Sequence, residues 1–223
     1  MYPLGKIRYN EFIMINEIKK SILSGILISI GGCVYLASTN IGNGWYGWFG
    51  ALLFSGGLFA ICVYGFNLYT GKVGYIAYHF KDVKYIGFVG QVCFFNLLTT
   101  FLLGILIGKY FPNIQDAAVK SYTAKLAAPY WKDFVSGIFC GMLMFLAVDT
   151  WKQGQKIGLF IYVPVFIIAG FDHSIANSFY NGAALGEYTF TLNNLWFILI
   201  VVAGNAVGGM IFPLLTRSWK KEA

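Results

Sequence analysis

The stretch IAGFDHSIANSFY, residues 168–180, puts an aspartate, a histidine and an asparagine directly behind the apolar run LFIYVPVFII. His173 has the widest chemistry of these. Imidazole changes charge near neutral pH, and a neutral ring donates one hydrogen bond, which suits a small anion or its conjugate acid. A second interrupted stretch, YGFNLYTGK, carries Asn67 and Thr70, the latter with a hydroxyl donor. A lone core histidine ordinarily bonds a helix carbonyl, and such a threonine ordinarily caps a helix or holds a turn. Two polar breaks at matching places raise the histidine above that role, while spacing alone leaves Thr70 open between a donor to solute and a cap or turn residue. Asp172 and Asn177 are better suited to orienting or capping helix ends, because a helix start carries partial positive charge. Acid–base catalysis by Asp172 and His173 is disfavoured: adjacent residues point in different directions, and no serine, cysteine or metal cluster supplies the other half of a mechanism.

The elements that must position these residues follow from composition. Of 223 residues, 58% are hydrophobic and only 11% charged, whereas a soluble domain carries about 25% charged residues. No Lys, Arg, Asp or Glu occurs in 21–71, 85–108, 134–148 or 188–216. Such runs predict membrane spans. The net charge of +7 is scattered at the ends of apolar segments rather than gathered in one patch, which argues for membrane flanks and against nucleic acid. Cys33, Cys62, Cys93 and Cys140 fall inside apolar segments without metal-ligand or paired spacing, so neither a disulfide framework nor a cofactor is expected. The N-terminal segment lacks the short apolar core and cleavage site of a secretory signal, so the first span is expected to stay in the protein.

The pattern predicts an all-α polytopic membrane protein with six spans: 21–38, 46–66, 86–108, 130–150, a fifth beginning near residue 157, and 192–215. The second is interrupted at NLYTG. The fifth is interrupted at 171–177 and continues as SFYNGAALG. Three spans on either side of the connecting segment 109–124 give one membrane domain of two halves, about 1–108 and 125–223, opposite in orientation. Each half has its break in its middle span, the pattern of an inverted repeat whose discontinuous helices meet near the bilayer midplane. At that depth a broken backbone is tolerated only inside protein or beside a water-lined cavity. With the N-terminus inside, twelve Lys and Arg fall inside and four outside, namely Lys109, Lys120, Lys125 and Lys132. Both termini are therefore expected to be cytoplasmic in a cell membrane.

GFDHSIANSF resembles the fifth-span motif of the formate/nitrite transporter family, with Asp172 where that family usually has glutamate. NLYTGK resembles the loop in its second span, SGILISIGG its first span and GNAVGG its sixth, in family order over nearly the whole chain. The resemblance implies an aquaporin-like protomer, five of which form a ring, each with its own pore. It implies a central pair of His173 and Thr70. It further implies an outer constriction of Phe54, Leu58 and Phe166, an inner one of Leu68 and Tyr69, and an outer-vestibule lysine at Lys125. For the matching inner lysine the candidates are Lys19 and Lys20. Gly141 stands where many members have an asparagine, and Tyr69 where phenylalanine is common.

The expected function is passage of small monovalent anions of weak acids, such as formate, nitrite or hydrosulfide, coupled to protonation in the pore. Lysines would concentrate the anion and apolar rings would penalise its bare charge. An aquaporin-like pore for small neutral solutes is the alternative. The expected partners are the anions, protons, the lipid bilayer and further copies of the chain in a homopentamer.

Overall fold

The computed structural model describes residues 4–41 and 44–216, with side chains from residue 14 onward. In chain order the helices are α1 (Leu4–Thr39), α2 (Gly44–Tyr64), α3 (Tyr69–Lys72), a 3-10 helix (Val73–Tyr78), α4 (Val83–Tyr110), α5 (Pro112–Leu126), α6 (Tyr130–Lys152), α7 (Ile157–Ile168), α8 (Ser174–Ala183) and α9 (Leu192–Thr216). No strand occurs among the described residues. Arg217, Lys220 and Lys221, counted above on the inner side, lie outside them.

Five helical segments are long and apolar enough to cross a membrane: Met14–Thr39, Gly44–Tyr64, Val83–Tyr110, Tyr130–Lys152 and Leu192–Thr216. Their outward faces carry Trp48, Phe94, Leu102 and Leu199, all exposed, as lipid contact requires and a soluble surface avoids. Helix α7 is apolar but has 12 residues, a length of roughly 18 Å against a hydrocarbon core of roughly 30 Å. It needs a continuation to cross.

Backbones approach one another at small residues, the usual solution where helices pack without a hydrophobic driving force. On α6 and α9, Gly137 meets Gly204, and a Cβ on Gly208 would lie 1.9 Å from the Ile138 carbonyl oxygen. On α4, Gly104 and Gly108 face the backbone of α8 in the same manner.

Segment 109–124, expected as a polar connection, is instead largely the helix α5. Pro112 sits in its first turn, where its fixed φ helps and its missing N–H costs nothing. Ala117, Ala118 and Tyr122 form its buried face. Tyr122 is fully buried and its hydroxyl donates to Asn194 Oδ1 on α9. The packed face overrides the polar composition, which belongs to the opposite, exposed face.

Helices α2 and α7 end alike. Gly65 has φ +65° and Gly170 φ +73°, the left-handed conformation that glycine takes without strain. Beyond them the Phe66 N–H donates to the Ile61 carbonyl and the Phe171 N–H to the Phe166 carbonyl, each at 2.9 Å. That six-to-one bond is the mark of a Schellman cap. Each chain then runs extended before a new helix starts at Tyr69 or Ser174. Asn177, expected within the second interruption, already lies in α8.

Candidate functional site

The two new helices begin in the same way. Their N-cap residues, Leu68 (φ −108°, ψ 128°) and His173 (φ −94°, ψ 112°), are both extended. The first free amides are taken up by asparagines from neighbouring long helices. Asn96 Oδ1 on α4 accepts from the Tyr69 N–H at 2.8 Å, while its Nδ2 donates to the carbonyls of Asn67 (3.1 Å) and Ser21 (2.7 Å). Asn205 Oδ1 on α9 accepts from the Ser174 N–H at 2.9 Å, while its Nδ2 donates to the carbonyls of Asp172 (2.8 Å) and Gly137 (2.9 Å). Broken backbone is thus satisfied from within the protein, which an apolar medium demands.

His173 Nδ1 accepts from the Ala176 N–H at 3.1 Å, capping its own helix. That bond uses the Nδ1 lone pair, so in a neutral ring the proton sits on Nε2. Nε2 lies 2.9 Å from Thr70 Oγ1. The ring therefore donates to the threonine, and the threonine's own hydrogen remains available to a third acceptor. Both side chains are buried, at 2% and 1% exposure.

One cavity reaches this pair at His173, and a second lies beside Leu68 and Gly71, on either side of Thr70 in the chain. The first, of about 120 Å³, is lined by His173, Phe54, Phe166, Lys125 and Asn177, among others. The second, of about 160 Å³, is lined by Leu58, Leu68, Gly71, Lys72 and Lys152, among others. By the orientation expected from the charge distribution, the first is the outer and the second the inner. The Phe166 ring stacks on His173 with centroids 5.6 Å apart and meets Phe54 edge-on at 6.4 Å. A wider apolar groove of about 640 Å³ between α4, α8 and α9 shares no lining residue with either cavity.

Besides the Asn205 bond to its carbonyl, Asp172 is held by four more. Its Oδ1 accepts from Lys125 Nζ at 2.5 Å and from Asn177 Nδ2 at 2.8 Å; its Oδ2 accepts from Ser136 Oγ at 2.6 Å, and its own N–H donates to Ser136 Oγ at 2.9 Å. Both carboxylate oxygens are thereby engaged by Lys125, Asn177 and Ser136, and both ring nitrogens of His173 by other groups. On the other break, Asn67 Nδ2 donates to Glu17 Oε2 at 2.7 Å.

Several expected placements change. Leu58, expected beside Phe54 on the outer side, lines the inner cavity. It follows Phe54 by one turn of α2, roughly 6 Å along the axis. Tyr69, expected at the inner constriction, lines neither cavity. Its hydroxyl donates to the Val202 carbonyl on α9 at 3.0 Å. Neither Lys19 nor Lys20 lines the inner cavity; Lys20 pairs with Glu17 at 2.7 Å, and Lys72 and Lys152 line the cavity instead. Gly141 faces α9, where a Cβ would lie 2.3 Å from the Asn205 carbonyl oxygen, so no side chain from it points at the central pair.

Asn96, Asn205, Ser136 and Lys72 were not singled out from the sequence by role. The first two had a signal, as isolated amides inside spans of apolar residues, where a polar side chain is costly. Lys72 directly follows a break. Among the described residues no three His, Cys, Asp or Glu side chains gather as a metal would require.

A family model described as formate/nitrite transporter matches residues 11–219. Two relatives from Bacillus subtilis (strain 168) are similar. The uncharacterized transporter YrhG is 28% identical over 182 residues, 73% of this chain and 67% of the relative. The uncharacterized transporter YwcJ is 27% identical over 143 residues, 57% of this chain and 55% of the relative. Among solved structures, a pentameric formate channel with formate bound superposes with a TM-score of 0.77 at 22% identity, covering 94% of this chain and 98% of its own. An FNT family ion channel superposes at 0.82 and 18% identity, covering 96% of this chain and 93% of its own. These two likenesses establish the helical fold.

Proposed function

Because the chain belongs to the formate/nitrite transporter family, we propose that it passes small monovalent anions of weak acids across a cell membrane. The observation that carries this reading is the 2.9 Å contact between Thr70 Oγ1 and His173 Nε2, joining two interrupted helices whose starts each border a cavity. A membrane scaffold needs no such contact. Asp172, spent on Lys125, Asn177 and Ser136, is engaged away from acid–base chemistry with His173.

In this reading α2 with α3, and α7 with α8, are the broken second and fifth of six spans. The chain is one membrane domain of two inverted halves in an aquaporin-like protomer. The matched glycine caps, extended N-caps and asparagine clamps of the two breaks support the repeat. Both termini are cytoplasmic, by the distribution of Lys and Arg. The pentameric formate channel among the structural relatives supports a homopentamer.

Lys125 on one side and Lys72 with Lys152 on the other attract the anion. Phe54 and Phe166, then Leu58 and Leu68, are each at most 2% exposed and make a neck in which a bare charge loses its hydration. A proton taken up by the anion removes most of that cost, and the Thr70 hydroxyl donates to the solute as it passes. Bulk water is the favoured source of the proton, because a doubly protonated His173 would have to give up its cap bond to Ala176.

Purified protein in liposomes, given formate, nitrite, acetate and hydrosulfide at two pH values, tests the reading. Anion accumulation that rises as pH falls is expected. Water or glycerol flux without anion flux would overturn it in favour of a neutral-solute pore.

A further inference from the structure

The outer cavity holds more hydrogen-bonding capacity than the central pair uses. Lys125 draws the anion toward this cavity, while its ammonium is held 2.5 Å from the Asp172 carboxylate. The remaining donors are neutral hydroxyls. Tyr180 lies seven residues after His173 on α8, two helical turns along and on the same face. It is 6% exposed and lines the cavity, and among the described residues its hydroxyl has no protein partner. Tyr35 on α1 and Ser121 on α5 line the same cavity, and their hydroxyls are likewise without a protein partner among the described residues. Hydroxyls at the wall of a small cavity that have no protein partner are free to donate to whatever fills it, so such a cavity suits an occupant that accepts hydrogen bonds.

We propose that this cavity is a recognition station for small oxyanions, in which the hydroxyls of Tyr180, Tyr35 and Ser121 replace part of the anion's hydration before it meets Phe54 and Phe166. The assignment rests on the anion-passage reading above and narrows its substrate class. A carboxylate or nitrite offers two oxygens, each able to accept short charge-assisted bonds from separate donors. Hydrosulfide offers one diffuse sulfur acceptor and gains less from three hydroxyls. The volume, about 120 Å³, amounts to roughly four water volumes. That accommodates an ion of three or four heavy atoms with some of its water.

The test is the concentration dependence of formate and hydrosulfide flux in liposomes, for wild type, Tyr180→Phe and Ser121→Ala. Tyr180→Phe keeps the ring and removes the donor. The ratio of half-saturation concentrations, formate over hydrosulfide, is expected to rise roughly tenfold, the effect of one lost hydrogen bond to a charged group. Ser121→Ala, on a half-buried face of α5, is expected to move the ratio in the same direction and serves if Tyr180→Phe does not fold. An unchanged ratio in a folded variant overturns the proposal, as does an equal shift for both anions. If wild type passes neither anion, the pore reading itself fails. A wild type that passes both, with variants of unchanged ratio, sinks only the oxyanion station.

Discussion

Asn96 and Asn205 hold the two helix starts by the same set of three bonds. In each case the side-chain oxygen takes the first amide of the new helix. The side-chain nitrogen gives one hydrogen to the carbonyl two residues upstream of that amide and the other to a long helix, α1 or α6. Each asparagine is fully buried. A side chain with one acceptor and two donors is needed at both places, which is the inventory of a primary amide.

Asn205→Ala leaves two buried backbone groups unpaired, the Ser174 N–H and the Asp172 carbonyl, at about 1–3 kcal/mol each, and removes a further bond to the Gly137 carbonyl inside α6. A loss of about 3 kcal/mol or more is expected, read as a fall of roughly 10 °C in the unfolding midpoint in detergent. Asn96→Ala is expected to behave alike. An unchanged midpoint in either would mean that the clamp is dispensable.

His173→Asn separates capping from ring chemistry, because asparagine is a strong N-cap but cannot reproduce the bond from Nε2 to Thr70. Its midpoint is expected to stay within about 1 kcal/mol of wild type while anion flux falls about tenfold. The pH dependence of the remaining flux is expected to persist, the proton coming from bulk water. Flux that loses its pH dependence would instead make the imidazole the donor.

Lys125 and Asp172 form an ion pair with side-chain exposures of 21% and 6%. Lys125→Met strands a largely buried carboxylate and is expected to cost about 3 kcal/mol. The same change in an Asp172→Asn background is expected to cost under 1 kcal/mol. Equal costs in a thermal-unfolding cycle would show that the pair is not coupled.

Gly141→Ala drives a methyl group to 2.3 Å from the Asn205 carbonyl oxygen. A destabilisation of about 1–3 kcal/mol is expected. Gly87→Ala, with nothing within 4 Å of its Cβ, is the contrast and is expected to be neutral or slightly stabilising.

Lys72→Ala is expected to lower anion flux several-fold at low ionic strength, with the difference shrinking at high salt as screening removes the attraction. Lys19→Ala, exposed and outside the cavity wall, is expected to have little effect. The reverse order would return the inner cation to α1.

Much of the fold was legible because its causes are local. The medium dictates uncharged runs of about 20 residues. The helix ends are written in the matching tripeptides Gly65-Phe66-Asn67 and Gly170-Phe171-Asp172, a left-handed glycine followed by the residue that closes the cap. Helix α5 was less legible, since its polar composition matches a loop. Only the spacing of Ala117, Ala118 and Tyr122 marks its buried face.

The sequence by itself determined that this chain is built from apolar helices, that two of its apolar segments are interrupted, and that His173 and Thr70 stand at the interruptions. Glycine backbone preference and the cost of charge in hydrocarbon act over a few residues, wherever those residues finally lie. Tertiary structure decided which side chains share a cavity. The bond between Thr70 and His173 joins residues 103 positions apart. The presence of Leu58 and Lys72, and not of Lys19 or Lys20, on the wall of one cavity and the engagement of the Tyr69 hydroxyl by Val202 all depend on which helix faces pack together. Helix rotation and depth are set by the close approach of glycine-lined backbones, and no short stretch of sequence encodes that contact on its own.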